Sequence, residues 1–182
     1  MQPGGKNINF AIMRFWLSAL AFVCFIALQS RAQAALDSLE TELPSSQRMD
    51  SLTHFAERFI GKPYGFGSTG PNTFDCSGFV QFVYGHFGVK LPHGSGTQAA
   101  ACHDVEWKDI QAGDLLFFNG RKRNGQIGHV AIVHHINGSE VLMIHATVQA
   151  GVLLESMPAS AYFKPRFIRA GRLKNGFNLS AG

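Results

Sequence analysis

The chain has 182 residues, 46% of them hydrophobic, and carries 16 lysines and arginines against 12 acidic residues, a formal charge of +4. Lys6, Arg14 and Arg31 precede residue 35 and no acidic residue does, so removing those three cations leaves the rest of the chain at +1. So small an excess excludes the concentrated basic face of a nucleic-acid binder, and the 148 residues from Ala35 onward suit one domain with one core.

Lys6 and Arg14 lead into an apolar run from Phe15 to Leu28, closed by Ala32-Gln33-Ala34. A charged start, an apolar run too short to span a membrane comfortably and a small-residue site make a secretory signal over residues 1–34, cleaved before Ala35. Bulky Phe22 and Val23 argue against lipid attachment at Cys24. The expected product is exported to the periplasm or cell envelope, with no membrane span after processing. Residues 35–50 are polar, hold Pro44-Ser45-Ser46 and lack an apolar period, which predicts an N-terminal arm. Asp50 or Ser51 can cap a helix whose one face carries Leu52, Phe55, Ala56, Phe59 and Ile60, until Gly61 and Pro63 stop it.

Residues 61–71 hold too many glycines and prolines for regular structure and predict a loop. Phe79, Val80, Phe82, Val83 and Phe87 then recur at helical spacing, so Cys76 falls at the first turn of an amphipathic helix. Unpaired N–H groups and the helix dipole favour a thiolate there, which predicts a pKa lowered from about 8.5 towards roughly 3.5–7.5. Position alone leaves Cys76 either a nucleophile or a small apolar residue packing the helix start. With Cys24 removed, Cys76 and Cys102 remain, and two cysteines in an oxidising compartment can also form a disulfide. Ala99-Ala100-Ala101 before Cys102 predicts a buried helix or its end, with both thiols free.

Val89 to Gln98 is loop-like, with at most a short helix over Thr97 to Ala101; Ile110 to Asp114 makes a turn into Leu115-Leu116-Phe117-Phe118, an apolar run that suits a buried strand. A polar loop from Asn119 to Gln126 carries Arg121, Lys122 and Arg123, a solvated turn or a contact for carboxylates. His129 to Ile136, the turn Asn137-Gly138 and Val141 to His145 form a hairpin. Strands are expected at Val152 to Glu155 and Phe167 to Leu173, before a tail over 174–182.

A nucleophilic thiol needs a base, and the base a third group to orient it. His129 and His145 arrive at one end of the hairpin and can fill both roles; whether they share a face depends on register. His129, His134, His135 and His145 also invite a zinc reading. Adjacent His134 and His135 must point to opposite faces, so at most one joins any cluster, and neither a metal nor a cofactor is expected.

Tyr64-Gly65-Phe66-Gly67, Phe74-Asp75-Cys76-Ser77-Gly78-Phe79-Val80, Leu91-Pro92, Gly113-Asp114-Leu115-Leu116-Phe117-Phe118, Gly128-His129-Val130-Ala131-Ile132 and Ile144-His145-Ala146 occur in the order of the NlpC-type family of exported cell-wall cysteine peptidases. The chain resembles that family over residues 51–173. The resemblance implies an α+β, papain-like domain with N-terminal helices packed on a central antiparallel sheet. It implies Cys76 as nucleophile, His129 as base and His145 as the group that orients it. Tyr64 matches an oxyanion-side tyrosine; Asp75 and Ser77 match positions that contact substrate. The substrate it implies is the peptide stem of peptidoglycan, cut at a D-alanyl-diaminopimelyl or D-glutamyl-diaminopimelyl bond by a monomer. The stretch Gly151 to Met157, with Tyr162 and Arg166, most resembles members that cut the first of these. His93 departs from the arginine more usual after Leu-Pro. An amidase or acyltransferase on the same fold, or a wall-binding module without activity, are the other functions such a chain could carry.

Overall fold

The computed structural model describes residues 25–31 and 45–174; the cleavage point at Ala34, most of the arm and the tail from residue 175 lie outside the described residues. The chain divides into two units, Met1–Glu42 and Leu43–Gly182. In the first, residues 25–31 are helical and exposed. No helix among the described residues is long and apolar enough to cross a membrane.

Among the described residues the second unit holds three α-helices, α1 (Ser45–Glu57), α2 (Cys76–His86) and α3 (Ser95–Ala100). Six strands follow: β1 (Cys102–Val105), β2 (Leu115–Asn119), β3 (Ile127–Asn137), β4 (Glu140–Thr147), β5 (Gly151–Ser156) and β6 (Phe167–Leu173). They form one sheet in the order β1-β6-β2-β3-β4-β5, every neighbouring pair antiparallel. This is the α+β arrangement expected from the sequence, with two differences. α1 begins at Ser45 and takes in residues the polar composition assigned to the arm; Gln47 and Arg48 are good helix formers, and polarity alone does not stop a helix. Cys102 ends no helix but opens β1, an edge strand that lies against Leu173 of β6. Its pairing is with a strand some seventy positions away, which no local pattern reveals.

The sheet buries both faces. Leu115 and Phe117 join Phe79, Val80, Val83, Tyr84, Val130, Ile132, Ile144 and Ala146 in a core on the helix side. Leu116 and Phe118 face the other way, into a second core with Ala131, Val133, Met143, Met157 and Phe163. A central strand covered on both sides reads as a continuous apolar run, which is why β2 is so plain in the sequence. The turn into β2 is held by Asp114, which is 3% exposed. Its Oδ2 accepts Gln111 N at 2.8 Å and its Oδ1 accepts Arg172 Nε at 2.8 Å. A half-exposed guanidinium thus ties β6 to the mouth of β2.

One irregularity decides how the site is assembled. Nearest the turn, Asn137 pairs with Glu140, Ile136 with Val141 and His135 with Leu142. Carried onward, that register would set His145 opposite Ile132 and place it on the opposite face from His129. A bulge intervenes between Val133 and His135, after which Val133 pairs with Met143 and Ile132 with Ile144. One extra residue, His134, moves the ladder by one and brings His129 and His145 onto the same face. His134 itself reaches Glu57 of α1, Nε2 to Oε1 at 2.8 Å.

Candidate active site

Asp75 caps α2, and its carboxylate is spent on local structure. Oδ1 accepts the Gly78 N–H at 2.6 Å and the Ser77 hydroxyl at 3.0 Å. Oδ2 accepts the Gly67 N–H at 2.9 Å and lies 2.9 Å from His93 Nε2. The loop therefore folds back onto the helix start, closely enough that a Cβ on Gly78 would come 2.1 Å from the Ser68 carbonyl oxygen. Asp75 and Ser77 sit beside Cys76 as the sequence requires, but both are buried and turned towards each other. From α3, Gln98 Nε2 donates to the Ser77 carbonyl at 2.8 Å and fixes the same turn from the other side.

Cys76 is half-buried and free, as is buried Cys102. The backbone N–H groups of Val130, Ser77 and Cys76 itself lie near enough to the Cys76 sulfur to favour its thiolate. Pairing between β3 and β4 stops at Ile132 and Ile144, so the Val130 N–H, next to His129, is open to the sulfur. The helix start that carries Cys76 is thereby set beside the strand that carries His129, more than fifty positions away. Tyr64 lies close enough to feel the charge of Cys76 and of Asp75; burial and those two charges raise its pKa and keep the hydroxyl protonated.

The Cys76 pKa runs against expectation. Burial raises it above the ordinary thiol value and the Asp75 charge raises it further, while the three N–H groups pull only partly the other way. Desolvation of the sulfur outweighs the helix dipole here.

His129 and His145 meet, Nε2 to Nδ1 at 2.9 Å. Phe163 stacks on His129 with centroids 4.9 Å apart and meets His145 edge-on at 4.8 Å. Phe118 adds a further wall, its centroid 5.8 Å from that of His129. Although His129 keeps an exposed edge, this apolar surround lowers its pKa well below the usual imidazole value, and His145 lowers it further. His145 is fully buried, and burial lowers its pKa too, with Glu155 opposing. Burial thus works against the charged forms of the thiol and of both imidazoles. Among the described residues no three His, Cys, Asp or Glu side chains converge as metal ligands; His134 is turned to Glu57, and His135 is exposed.

Sequence reasoning missed Phe163, Glu155 and the Val130 N–H. Phe163 comes from an irregular segment between β5 and β6 with no periodic signal, and a backbone donor leaves no trace in residue identity. Glu155 lies at the alternating position of β5 that shares His145's face, a hint legible only once the register is known. Arg121, Lys122 and Arg123 are exposed in the β2–β3 loop, whose ends pinch together so tightly that a Cβ on Gly128 would come 2.6 Å from Gly120 Cα.

Comparison with known proteins places this architecture. The chain is 38% identical over 105 residues to "Probable endopeptidase Cgl2188" of Corynebacterium glutamicum, covering 57% of this chain and 50% of that protein. It is 31% identical over 120 residues to "Bifunctional muramidase/DL-endopeptidase CwlT" of Bacillus subtilis, covering 65% of this chain and 35% of that one. The crystal structure of the NlpC/p60 domain of peptidoglycan hydrolase SagA superimposes with a TM-score of 0.55 at 30% identity, covering 67% of this chain and 96% of that domain. The chain thus spans about half the length, or less, of these two full-length relatives. The sequence profile of the NlpC/P60 family matches residues 61–172, and the chain belongs to that family.

Proposed function

We propose that this chain is an exported cysteine endopeptidase of peptidoglycan, which hydrolyses an amide bond to an amino group of a diamino acid in the stem peptide or cross-link. The observation that carries the proposal is the convergence of Cys76, at a helix N-terminus and against the Val130 N–H, with the His129–His145 pair at 2.9 Å. The signal-like first 34 residues support export. The names of the relatives, two of them endopeptidases and one a peptidoglycan hydrolase, support the substrate class.

His129 accepts the Cys76 proton as the sulfur attacks the carbonyl carbon, so charge appears only as the bond forms. The Cys76 N–H and the Tyr64 hydroxyl are the donors at hand for the oxyanion. Protonated His129 then gives its proton to the departing amine, and water releases the acyl group from sulfur. Asp75 and Ser77 serve by fixing the helix start that aims Cys76, and His145 by holding the His129 ring.

The test is digestion of a defined cross-linked muropeptide, with products identified by mass. Cleavage at the D-alanyl-diaminopimelyl or at the D-glutamyl-diaminopimelyl bond supports the proposal and tells the two apart. Intact peptide, or transfer to an added amine without hydrolysis, overturns it.

A further inference from the structure

Two neutral imidazoles in contact are ambiguous, because each has one donor and one acceptor nitrogen and the shared proton can sit on either side. Only one arrangement serves a base at His129. With His129 Nε2 turned to His145, the proton taken from sulfur must go to His129 Nδ1. That atom is empty only if Nε2 holds the ring proton and donates it to His145 Nδ1. His145 must then carry its own proton on Nε2, deep in the protein.

Glu155 stands at that atom. Its Oε2 is the ion-pair neighbour of His145 Nε2, at 3.2 Å; the two are not aligned as a hydrogen bond, and buried Nε2 has no hydrogen-bond partner among the described residues. The register explains the placement: Leu153 is the residue of β5 opposite His145, and Glu155, two positions on, is the diagonal neighbour on the same face, within reach of a long side chain. His145 is the ion-pair partner of Glu155 among the described residues. An ionised carboxylate can only accept.

We propose that Glu155 is a positioning residue of this site: by accepting the His145 Nε2–H it selects the His145 tautomer, and through it leaves His129 Nδ1 free to receive the Cys76 proton. This rests on Cys76 and His129 being nucleophile and base. Glu155 touches neither substrate nor sulfur and acts through two imidazoles in series.

The tautomer is read in the resting protein from histidine nitrogen shifts with imidazole-labelled full chain, a measurement that needs no turnover. His145 protonated on Nε2 in the wild type is the expected result. His145 protonated on Nδ1 overturns the proposal, whether or not the protein cleaves anything. Kinetics supply the second arm. Glu155→Leu should lower kcat about 10–100-fold, as loss of a histidine's outer hydrogen-bond partner commonly does, with KM little changed. Glu155→Gln, which keeps an acceptor oxygen, should recover most of that loss. In a His145→Ala background Glu155→Leu should cost nothing more. An additive loss there, or a folded Glu155→Leu with wild-type kcat, refutes the role even if the peptidase itself is real.

Discussion

Replacing Asp75 tests how the turn that carries Cys76 is held. Asp75→Ala removes the acceptor of the Gly78 N–H, the N-cap bond of α2, which is worth about 1 kcal/mol and up to about 2. It also strips the Gly67 N–H of its acceptor, a further loss of about 1 kcal/mol for a half-buried amide. The sum is about 2–3 kcal/mol, and at roughly 3–5 °C per kcal/mol for a domain of this size the midpoint should fall by about 10 °C. Asp75→Asn keeps an acceptor oxygen for Gly78 and should lose about half as much. Both variants also remove the negative charge that raises the Cys76 pKa, so Cys76 should become more acidic. Thermal melts and the rate of Cys76 alkylation near neutral pH are the assays, with Asp75→Asn as the cleaner test of the charge effect. A melt of Asp75→Ala within about 1 °C of wild type, or slower alkylation of folded Asp75→Asn, would refute the reasoning.

Burial holds His129 and His145 neutral in the fold, below the unfolded imidazole value of about 6.5. Between those depressed values and about 6.5 the unfolded chain binds more protons, so stability is complete above that window and is lost as pH falls through it, by up to about 1.4 kcal/mol per pH unit for each imidazole. Denaturation midpoints measured from pH 7.5 downward check the slope, which His145→Asn should flatten. The acidic limb of kcat/KM should likewise lie below pH 6.5, since His129 remains a free base there. Deleting His134 removes only the extra residue, leaving Val133 opposite Met143 and His135 opposite Leu142, so His129 and His145 keep one face and cleavage should be retained in a regular ladder. His134→Ala, which keeps the bulge and loses only the Glu57 contact, should retain activity. Gly78→Ala should destabilise by about 1–3 kcal/mol in denaturant melts, because the loop carbonyl of Ser68 has nowhere to go.

Much of the fold was legible because its signals are local. The apolar run of β2, the helical stripe after Cys76 and the hairpin around Gly138 each lie within one short, continuous stretch of chain. The turn itself differs by one position, with Gly138 and Ser139 between paired Asn137 and Glu140, Gly138 at a φ of +60°. That single step, together with the bulge at His134, is what parity counting could not resolve. β1 was missed because an edge strand is made by its partner. In the site, the sequence supplied residue types and order; the cysteine's acidity came out reversed because the helix-dipole argument considers α2 alone. The burial that opposes it comes from strands β3 and β4, which only the assembled fold brings near.

The central claim is that Cys76 attacks the peptide bond with no help from a metal. Purified sacculi are incubated with wild-type protein and with Cys76→Ala, each with and without a strong chelator, and the soluble products are weighed. The account predicts peptide fragments with newly freed amino groups from wild type, undiminished by chelator, and none from a Cys76→Ala variant that melts like the wild type. Fragments from folded Cys76→Ala, or release that the chelator abolishes, would contradict it.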